Sequence, residues 1–291
     1  MKICIHGRYI NHEILNLLKA FMIEKNHFIF DFAFTETFFS LVTNYSEDFK
    51  KIPYVKTRDE LSEYDIMLSI GGDGTLLETV TLTGNLQHPI LGINTGRLGF
   101  LTSTTDKNIE MVMNNLSNKE YVIDERALIR FDTPSNPFKD TNFALNEIAI
   151  LKSDSSSMIT VHTYIDDHYL NSYWADGLVI STPTGSTGYS LSCGGPVVVP
   201  MSNNFIITPV SVHNLSVRPI VVSDKSKINF EIESRSSQFL VSLDSRSHTF
   251  HRKKPFSITR ELFTTKLIKF RDYNYFDTLR QKLNWGLDVR N

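Results

Sequence analysis

Apolar and polar positions follow two different patterns along the chain, and the pattern changes near residue 120. Before that point, short apolar runs such as KICIHG and YDIMLSI alternate with segments of helical spacing. In residues 11–26 the apolar side chains recur every three or four positions, and Asn11 is the expected N-cap. HFIFDFAF and PILGIN predict further strands, and TLLETVTL predicts a helix. This β-α-β-α order predicts a mostly parallel sheet with helices on its faces.

After residue 120 the chain reads as strand after strand, separated by turns rich in Asp, Gly, Ser and Pro. The predicted strands are YVIDERALIRFD, NFALNEIAIL, MITVHTYIDD, HYLNSYWADGLVIST, FIITPVSV, PIVVS, KINFEIES, FLVSLDS and FSITRE. Helical spacing returns only in YFDTLRQKLNW, which we expect to dock on the first domain. We therefore predict an α/β nucleotide-binding domain of residues 1–119, completed by a helix in 272–291, and a β-rich domain of residues 120–271.

Composition narrows the class of protein. The chain has 291 residues, 41% of them hydrophobic, which is ample for packed cores. Its net charge is −2 and its longest basic run is residues 252–254, so we expect neither nucleic acid nor a membrane surface as partner. The N-terminus lacks the apolar core of a signal peptide, and no apolar run approaches the roughly 20 residues that span a bilayer. Two cysteines, Cys4 and Cys193, make no disulfide framework. We expect a soluble, cytoplasmic protein.

A glycine-rich turn in SIGGDGTLLETV follows a predicted strand and opens a predicted helix. Such turns cradle phosphates, because glycine lets backbone N–H groups approach an anion. No lysine follows, so the turn is not a Walker A loop. Asp73 would repel a phosphate that it touched, and it suits a hydroxyl that attacks the phosphate or a bound metal. Alternatively Asp73 caps the helix, and the turn alone favours neither interpretation. The candidate phosphate-binding residues are Gly71, Gly72, Gly74 and Thr75.

The loop NTGRLGF follows the next predicted strand and also carries glycines. Ligands bind outside the carboxyl ends of the strands in open α/β sheets, so this loop and the first turn can line one crevice. Asn94 and Gly96 join the candidate phosphate-binding residues. Taken alone, the segment would be read as an ordinary loop.

Two polar stretches of the β-rich part are candidates for nucleotide binding. Asn146 and Glu147 head an apolar strand and suit ribose hydroxyls or an adenine edge, although taken alone an exposed strand start is the favoured interpretation. Residues 175–198 hold five glycines and a cluster of serines and threonines. Their hydroxyls and backbone offer hydrogen bonds to a polar ligand. Tyr189 can stack on a base, and Asp176 can accept from an amide or a hydroxyl.

The sequence gives little support to a metal held by the protein. His248 and His251 form the only H-x-x-H spacing, and in a strand they would point to opposite faces. No C-x-x-C motif is present. We predict no protein-held metal site.

Together these stretches resemble the NAD kinase family. The matching segments are GGDGTLL, LGINTGRLGF, LNEIAI, DGLVISTPTGSTGYSLSCGGPVV, VHNLSVRPIVV and DYNYFDTLRQKLNW. They cover nearly the whole chain in order. GGDG alone is shared with diacylglycerol-type lipid kinases, whereas its combination with TPTGSTGYSLSCGGP is highly specific. The resemblance implies a Rossmann-like α/β domain, an antiparallel all-β domain and a final helix that returns to the first.

The resemblance also implies a reaction: ATP phosphorylates the 2′-hydroxyl of the adenosine ribose of NAD to give NADP. Asp73 matches the proton acceptor, and Mg²⁺ or another divalent cation would arrive with ATP. Family members are homo-oligomers, so a homodimer or homotetramer is expected. With neighbours added from the same stretches, the predicted NAD-binding residues are Asp73, Gly74, Phe100, Asn146, Glu147, Asp176, Thr184, Thr187, Gly188, Tyr189, Ser190, Leu191, Ser192 and Arg246.

Several points stay open at this level. A lipid kinase and a non-catalytic NAD-binding sensor are the alternative functions. The sequence leaves open NAD versus NADH, ATP versus polyphosphate, the oligomer size and any feedback regulation. Gly188 and Cys193 stand where the family more often has alanine. Several members carry basic residues where this chain has Glu78 and Trp174; Arg246 or Arg97 would then have to neutralise the phosphates.

Overall fold

The computed structural model describes residues 1–24, 30–96, 99–102, 104–105, 109–154, 157–251, 254–271 and 273–285. It divides the chain into two compact units. Unit 1 comprises Met1–Glu125 and Thr265–Asn291, and unit 2 comprises Arg126–Thr264.

Unit 1 alternates strands and helices along the chain. Its strands are β1 (Lys2–Gly7), β2 (Asp31–Thr35), β3 (Tyr54–Val55), β4 (Ile66–Ile70), β5 (Ile90–Asn94) and β6 (Thr104–Thr105). Its helices are α1 (His12–Glu24), α2 (Glu36–Tyr45), α3 (Arg58–Leu61), α4 (Asp73–Thr83), α5 (Ile109–Ser117) and, near the end of the chain, α7 (Tyr275–Leu283).

The sheet of unit 1 is parallel and runs in the order β3-β2-β1-β4-β5. Gly7 lies opposite Ile70, and Ile70 lies opposite Ile93, so β1, β4 and β5 end side by side. The predicted N-cap of α1 is confirmed, because Asn11 Oδ1 accepts the N–H of Ile14 at 2.8 Å. The strand predicted from HFIFDFAF is described only from Asp31 onward, and residues 27–29 lie outside the described part of the chain.

Three helices of unit 1, namely α2, α3 and α5, were not among the predicted elements. Helix α2 buries Phe38 and Val42, and α5 buries Val112, Met113 and Leu116. These side chains recur at helical spacing and join the same apolar core as the sheet. Their signal is present in the sequence, but each helix has ten residues or fewer, which leaves few periodic positions.

Unit 2 consists almost entirely of strands. They are β7 (Tyr121–Asp132), which begins in unit 1, β8 (Phe143–Ala144), β9 (Glu147–Lys152), β10 (Ile159–Ile165), β11 (His168–Ala175), β12 (Gly177–Ser181), β13 (Asn204–Val210), β14 (Ile220–Ser223), β15 (Ile228–Glu233), β16 (Gln238–Leu243), β17 (Arg246–His251) and β18 (Phe256–Phe270), which ends in unit 1. One short helix, α6 (Tyr189–Ser192), follows a 3-10 turn at Thr184–Thr187.

These strands form two antiparallel layers with a shared apolar core. One layer has the order β14-β13-β12-β9-β16-β17, and the other contains β11-β10-β15 and the first part of β18. Side chains from both layers, such as Ile150 and Val161, belong to one buried cluster. The α/β unit and the β-rich unit have the predicted fold class.

Several strand bounds differ from the prediction. NFALNEIAIL forms the two strands β8 and β9 rather than one. HYLNSYWADGLVIST forms two strands rather than one, because the chain changes layers at Asp176: β11 pairs with β10, whereas β12 pairs with β9 and β13. FSITRE is only the start of the 15-residue strand β18. No helix in the described part of the chain is both long and apolar enough to cross a membrane.

Candidate active site

The glycine-rich turn of unit 1 connects β4 to α4. Gly71 has a φ of +146°, and a Cβ there would lie 2.5 Å from Thr75 Oγ1, so glycine is required. Gly72 is the N-cap residue, and a Cβ there would meet nothing within 4 Å. The turn is therefore open at the position where a Gly72 side chain would lie. Of the candidate phosphate-binding residues here, Gly74 is exposed and Thr75 is buried.

Asp73 does not cap its own helix. It is the first residue of α4, and the N-cap is Gly72. Its Oδ2 accepts the N–H of Phe100 at 2.8 Å, and its Oδ1 accepts the N–H groups of Leu101 at 3.2 Å and Thr102 at 3.3 Å. A Cβ on Gly99 would lie 1.8 Å from Asp73 Oδ1. The capping alternative for Asp73 is thus wrong, since the carboxylate reaches across to the next loop.

That loop is held from two further directions. Lys269 is fully buried, and its Nζ donates to the carbonyl of Leu101 at 2.8 Å. Asn94, also buried, donates from Nδ2 to Thr102 Oγ1 at 3.0 Å and accepts the N–H of Gly96 at 2.7 Å. Asn94 therefore shapes the loop, while Gly96 is exposed. Arg97, one of the two suggested phosphate partners, lies outside the described residues.

In unit 2 the Asn146–Glu147 pair is positioned by a buried aspartate. Asp244, in the turn between β16 and β17, accepts the N–H groups of Leu145 at 2.9 Å, Asn146 at 2.9 Å and Glu147 at 3.2 Å. Its own N–H donates to the carbonyl of Glu147 at 3.0 Å. Burial raises the pKa of the Asp244 carboxyl, while these three N–H groups and Arg246 act in the opposite direction.

The Asn146 and Glu147 side chains present unsatisfied polar atoms. Asn146 Oδ1 and Glu147 Oε2 are enclosed and have no hydrogen-bond partner among the described residues. A Cβ on Gly188 would lie 2.9 Å from Glu147 Oε2, so a larger residue there would have to displace the end of the Glu147 side chain. Burial, reinforced by the charge of Asp244, raises the pKa of Glu147 to about 8. Glu147 is therefore largely a neutral carboxyl at neutral pH.

The hydroxyl-rich run divides into an internal and an outer part. The hydroxyls of Thr184, Thr187 and Ser190 bond within the protein: Thr184 to Arg126, Thr187 to the Thr184 carbonyl and Ser190 to Thr208. Gly185 packs so closely that a Cβ would lie 2.1 Å from the Asn146 carbonyl oxygen. The more accessible side chains of the run are Tyr189 and Ser192, which are exposed, and Leu191, which is half-buried.

Two other predicted residues engage protein partners. Asp176 Oδ1 lies 2.6 Å from Lys152 Nζ, with both side chains partly exposed. Arg246 donates to the backbone carbonyls of Thr141 and Phe143 and lies over the Phe143 ring. Burial lowers the pKa of Arg246, and Asp244 opposes that effect. The structure therefore gives Arg246 contacts within the protein at the Asp244 turn.

Three positioning residues were not predicted: Asp244, Lys269 and Lys152. Each lies far along the chain from the segment that it holds, and each sits in or beside an ordinary strand pattern. The sequence does show that Lys269 interrupts an apolar stretch of β18, and the structure buries it there. Nothing in the sequence identifies its partner. Within the described ranges, no three His, Cys, Asp or Glu side chains cluster as a metal site would require.

Comparison with known proteins decides the family. The model of the ATP-NAD kinase N-terminal domain matches residues 11–121, and that of the ATP-NAD kinase C-terminal domain matches residues 145–269. The chain belongs to the ATP-NAD kinase family. It is 56% identical to the NAD kinase of Cytophaga hutchinsonii over 234 residues, which cover 80% of each chain.

Two solved structures support the assignment of the fold. Yeast NADH kinase complexed with NADH has a TM-score of 0.88 at 22% identity and covers 100% of this chain and 89% of its own. An NAD kinase from Archaeoglobus fulgidus in complex with ATP has a TM-score of 0.75 at 26% identity and covers 98% of this chain and 99% of its own. The predicted family, fold class and enzyme class, a phosphotransferase of the ATP-NAD kinase family, are confirmed.

Proposed function

We propose that this chain transfers the γ-phosphoryl group of ATP to the 2′-hydroxyl of the adenosine ribose of NAD, giving ADP and NADP. The O–P bond to the β-phosphate breaks, the bond to the 2′-oxygen forms, and the hydroxyl proton leaves to a base. Phosphoryl transfer passes through a loose transition state, so the protein acts mainly by positioning and by neutralising charge. Each unit supplies a part of that task.

Unit 1 supplies the site for the phosphoryl donor. The glycine-rich turn leads into the N-terminus of α4, and a helix N-terminus favours an anion. Hydrogen bonds from the N–H groups of Phe100 and Leu101 hold the Asp73 carboxylate toward the loop at residues 99–102.

Asp73 is also the proposed proton acceptor. A carboxylate oxygen has two lone-pair sites, and among the residues that the structure describes only Phe100 donates to Oδ2. The second site on Oδ2 is left for the 2′-hydroxyl. In a loose transition state the proton leaves late, so a weak base suffices.

Unit 2 supplies the dinucleotide site. The strongest support for the proposal is the state of two polar side chains there. Within the described part of the chain, Asn146 Oδ1 and Glu147 Oε2 are enclosed, have no hydrogen-bond partner and lie beside Gly188. Buried polar groups nearly always have partners, so an unpaired cluster indicates a ligand. A neutral Glu147 carboxyl both donates and accepts, as a ribose hydroxyl does, and it does not repel the phosphates of NAD.

Several finer features remain part of the proposal. A divalent cation enters as the MgATP substrate. The chain works in the cytoplasm, where its two free cysteines stay reduced. It assembles as a homodimer or homotetramer. The residues predicted to contact NAD and ATP keep those assignments, with Tyr189 stacking on adenine and Ser192 beside it.

A coupled assay tests the function. The purified chain is incubated with MgATP and NAD⁺, and a dehydrogenase specific for NADP⁺ reports the product. We expect NADP⁺ to accumulate with time and enzyme concentration. NAD⁺ binding by calorimetry without turnover would favour the sensor. Phosphorylation of diacylglycerol in vesicles, without NADP⁺ formation, would favour the lipid kinase.

A further inference from the structure

Arg8 lies at the edge of the sheet where the glycine-rich turn begins. Strand β1 ends at Gly7, and Gly7 pairs with Ile70, the last residue of β4. Arg8 and Gly71 therefore leave the sheet side by side. Arg8 Nη1 lies 3.6 Å from the position that a Cβ on Gly74 would occupy. Its guanidinium thus borders the open turn at the start of α4.

The guanidinium is oriented by an acid on the same helix. Arg8 Nε lies 3.1 Å from Glu78 Oε2, and Glu78 stands one turn after Gly74 on α4. Glu78 Oε1 lies 3.8 Å from Nε2 of His6, whose Nδ1 is 2.8 Å from Thr35 Oγ1. The proximity of His6 lowers the pKa of Glu78, helped by the charge of Arg8 and opposed by burial. Glu78 therefore stays ionised and holds the Nε side of Arg8.

The position suits a phosphate ligand. The turn has no lysine of the Walker A type, and the Asp73 carboxylate accepts N–H groups of the next loop. A guanidinium presents a planar fork of donors that matches phosphate oxygens. The Arg8 side chain is 50% exposed, so a ligand reaches it without any rearrangement of the core.

We infer that Arg8 binds the phosphate chain of the ATP donor, with Glu78 as its positioning residue. This inference rests on the proposed function, because it names the positive charge that the donor site requires. It also gives the acidic residue at position 78 a role, because Glu78 holds the Nε side of Arg8. In this chain the acid orients a cation supplied by β1 instead of meeting the phosphate itself.

Calorimetry with MgATP alone and steady-state kinetics with MgATP and NAD⁺ test the inference on the full chain. Arg8→Gln removes the charge and keeps a polar side chain, and Arg8→Lys keeps the charge without the fork. Charged hydrogen bonds contribute about 1.5–3 kcal/mol, so Arg8→Gln should raise the Kd and KM for MgATP roughly 10- to 100-fold. Arg8→Lys should lie between Arg8→Gln and the wild type. The KM for NAD⁺ should change less than about twofold.

Two controls separate ligand binding from structure. Arg280→Gln removes another exposed, ion-paired arginine of unit 1, paired with Asp277 in α7, and should leave the Kd for MgATP unchanged. Glu78→Gln should weaken MgATP binding less than Arg8→Gln does, since the cation remains. Raising the salt concentration should weaken MgATP binding less in Arg8→Gln than in the wild type, an effect that a purely structural role would not produce.

An unchanged Kd for MgATP in Arg8→Gln and Arg8→Lys would overturn the inference. An equal rise in the KM values for MgATP and NAD⁺ would overturn it as well, since Arg8 would then only support the sheet edge. The calorimetry needs no turnover, so it tests Arg8 even if the wild type forms no NADP⁺. That last result would contradict the proposed function and not the assignment of Arg8.

Discussion

The amide N–H of Phe100 donates a hydrogen bond to Asp73 Oδ2 at 2.8 Å, which ties the glycine-rich turn to the loop after β5. The loop is held at the same time by Lys269, through the carbonyl of Leu101. Asp73 thus holds this loop in place in addition to its proposed part in proton transfer. A substitution at Asp73 is therefore expected to affect both stability and turnover, and both must be measured.

Asp73→Asn should reduce both turnover and stability. An amide keeps one acceptor oxygen and places an NH₂ group against the N–H of Phe100 or of Leu101, so at least one buried donor loses its partner. Such a loss costs about 1–3 kcal/mol. Loss of a general base costs on the order of 10²–10⁴ in kcat. Rates of NADP⁺ formation and melting curves by circular dichroism measure the two effects.

Asp59→Asn is the matched control for that variant. Asp59 also lies in the first turn of a helix, α3, and it is exposed. It should alter neither kcat nor the melting temperature beyond the small effect of the helix dipole. An Asp73→Asn variant that behaved like Asp59→Asn would contradict both the loop contact and the catalytic role.

Asp244→Asn should raise the KM for NAD⁺ more than the KM for ATP. Asp244 has a φ of +51°, which asparagine tolerates, so the substitution should not strain the backbone. Its main effect is that the N–H groups of residues 145–147 lose one of the two oxygens that accept their hydrogen bonds. A loosened Asn146–Glu147 pair should weaken NAD⁺ binding by about 1–3 kcal/mol. Steady-state kinetics with each substrate varied in turn measure the difference.

Asp166→Asn provides the comparison in the same unit. Asp166 also has a positive φ, +49°, and its Oδ1 accepts the N–H of Lys227 at 2.9 Å. It serves a hairpin turn whose contacts do not include residues 145–147. If Asp244→Asn and Asp166→Asn had the same effect on the KM for NAD⁺, the positioning role of Asp244 would be excluded.

The stability of the protein should fall as the pH rises from the pKa of Glu147 in the unfolded chain toward its higher pKa in the folded protein. The pKa of Glu147 is raised from 4.5 to about 8, so the folded state binds a proton that the unfolded state has released. This contribution is fully present below about pH 4.5 and is lost as the pH rises through about 8. Glu147→Gln mimics the neutral carboxyl. Its melting temperature should match the wild type at about pH 5 and exceed it by several degrees at about pH 8.

Thermal unfolding across this pH range measures the difference, with Glu120→Gln as the exposed control. The affinity for NAD⁺ should follow the same titration: it should decline in the wild type as Glu147 ionises and hold in Glu147→Gln. A melting-temperature difference between Glu147→Gln and wild type that is independent of pH would refute the neutral carboxyl.

Tyr189→Ala should weaken NAD⁺ binding by roughly 1–3 kcal/mol if the ring stacks on adenine, as bases do on aromatic rings elsewhere. Tyr189 is the first residue of α6 and is 37% exposed, so its ring is accessible. Tyr189→Phe keeps the stacking face and should bind almost normally. Tyr169→Ala removes an exposed tyrosine of β11 and serves as the control. Unchanged affinity in Tyr189→Ala, by calorimetry, would remove Tyr189 from the adenine site.

The periodic pattern of the chain predicted most of the fold because each element buries one regular face. The parallel sheet, α1, α4 and the succession of antiparallel strands follow from local spacing. The division of HYLNSYWADGLVIST was missed because the change of layer at Asp176 depends on which strands pair, and pairing is a long-range property.

The candidate site was predictable where glycines and polar residues interrupt the apolar pattern, as at residues 71–75 and 184–192. It was not predictable where one residue holds another across a long separation. Asp244 holds residues 145–147, and Lys269 holds Leu101. Arg8 stands directly after an unremarkable strand, and only the register of β1 against β4 brings it to the glycine-rich turn. Such contacts depend on strand order, which periodicity does not specify.

Transfer of labelled phosphate tests the central claim most directly. The chain is incubated with Mg²⁺, ATP labelled in the γ-phosphate and NAD⁺, and the nucleotides are separated and digested with a phosphatase specific for 2′-phosphates. We predict that the label appears in NADP⁺ and is released by that phosphatase. Label that remained in ATP or passed only to water, from a folded wild-type chain that binds both nucleotides, would contradict the proposed reaction.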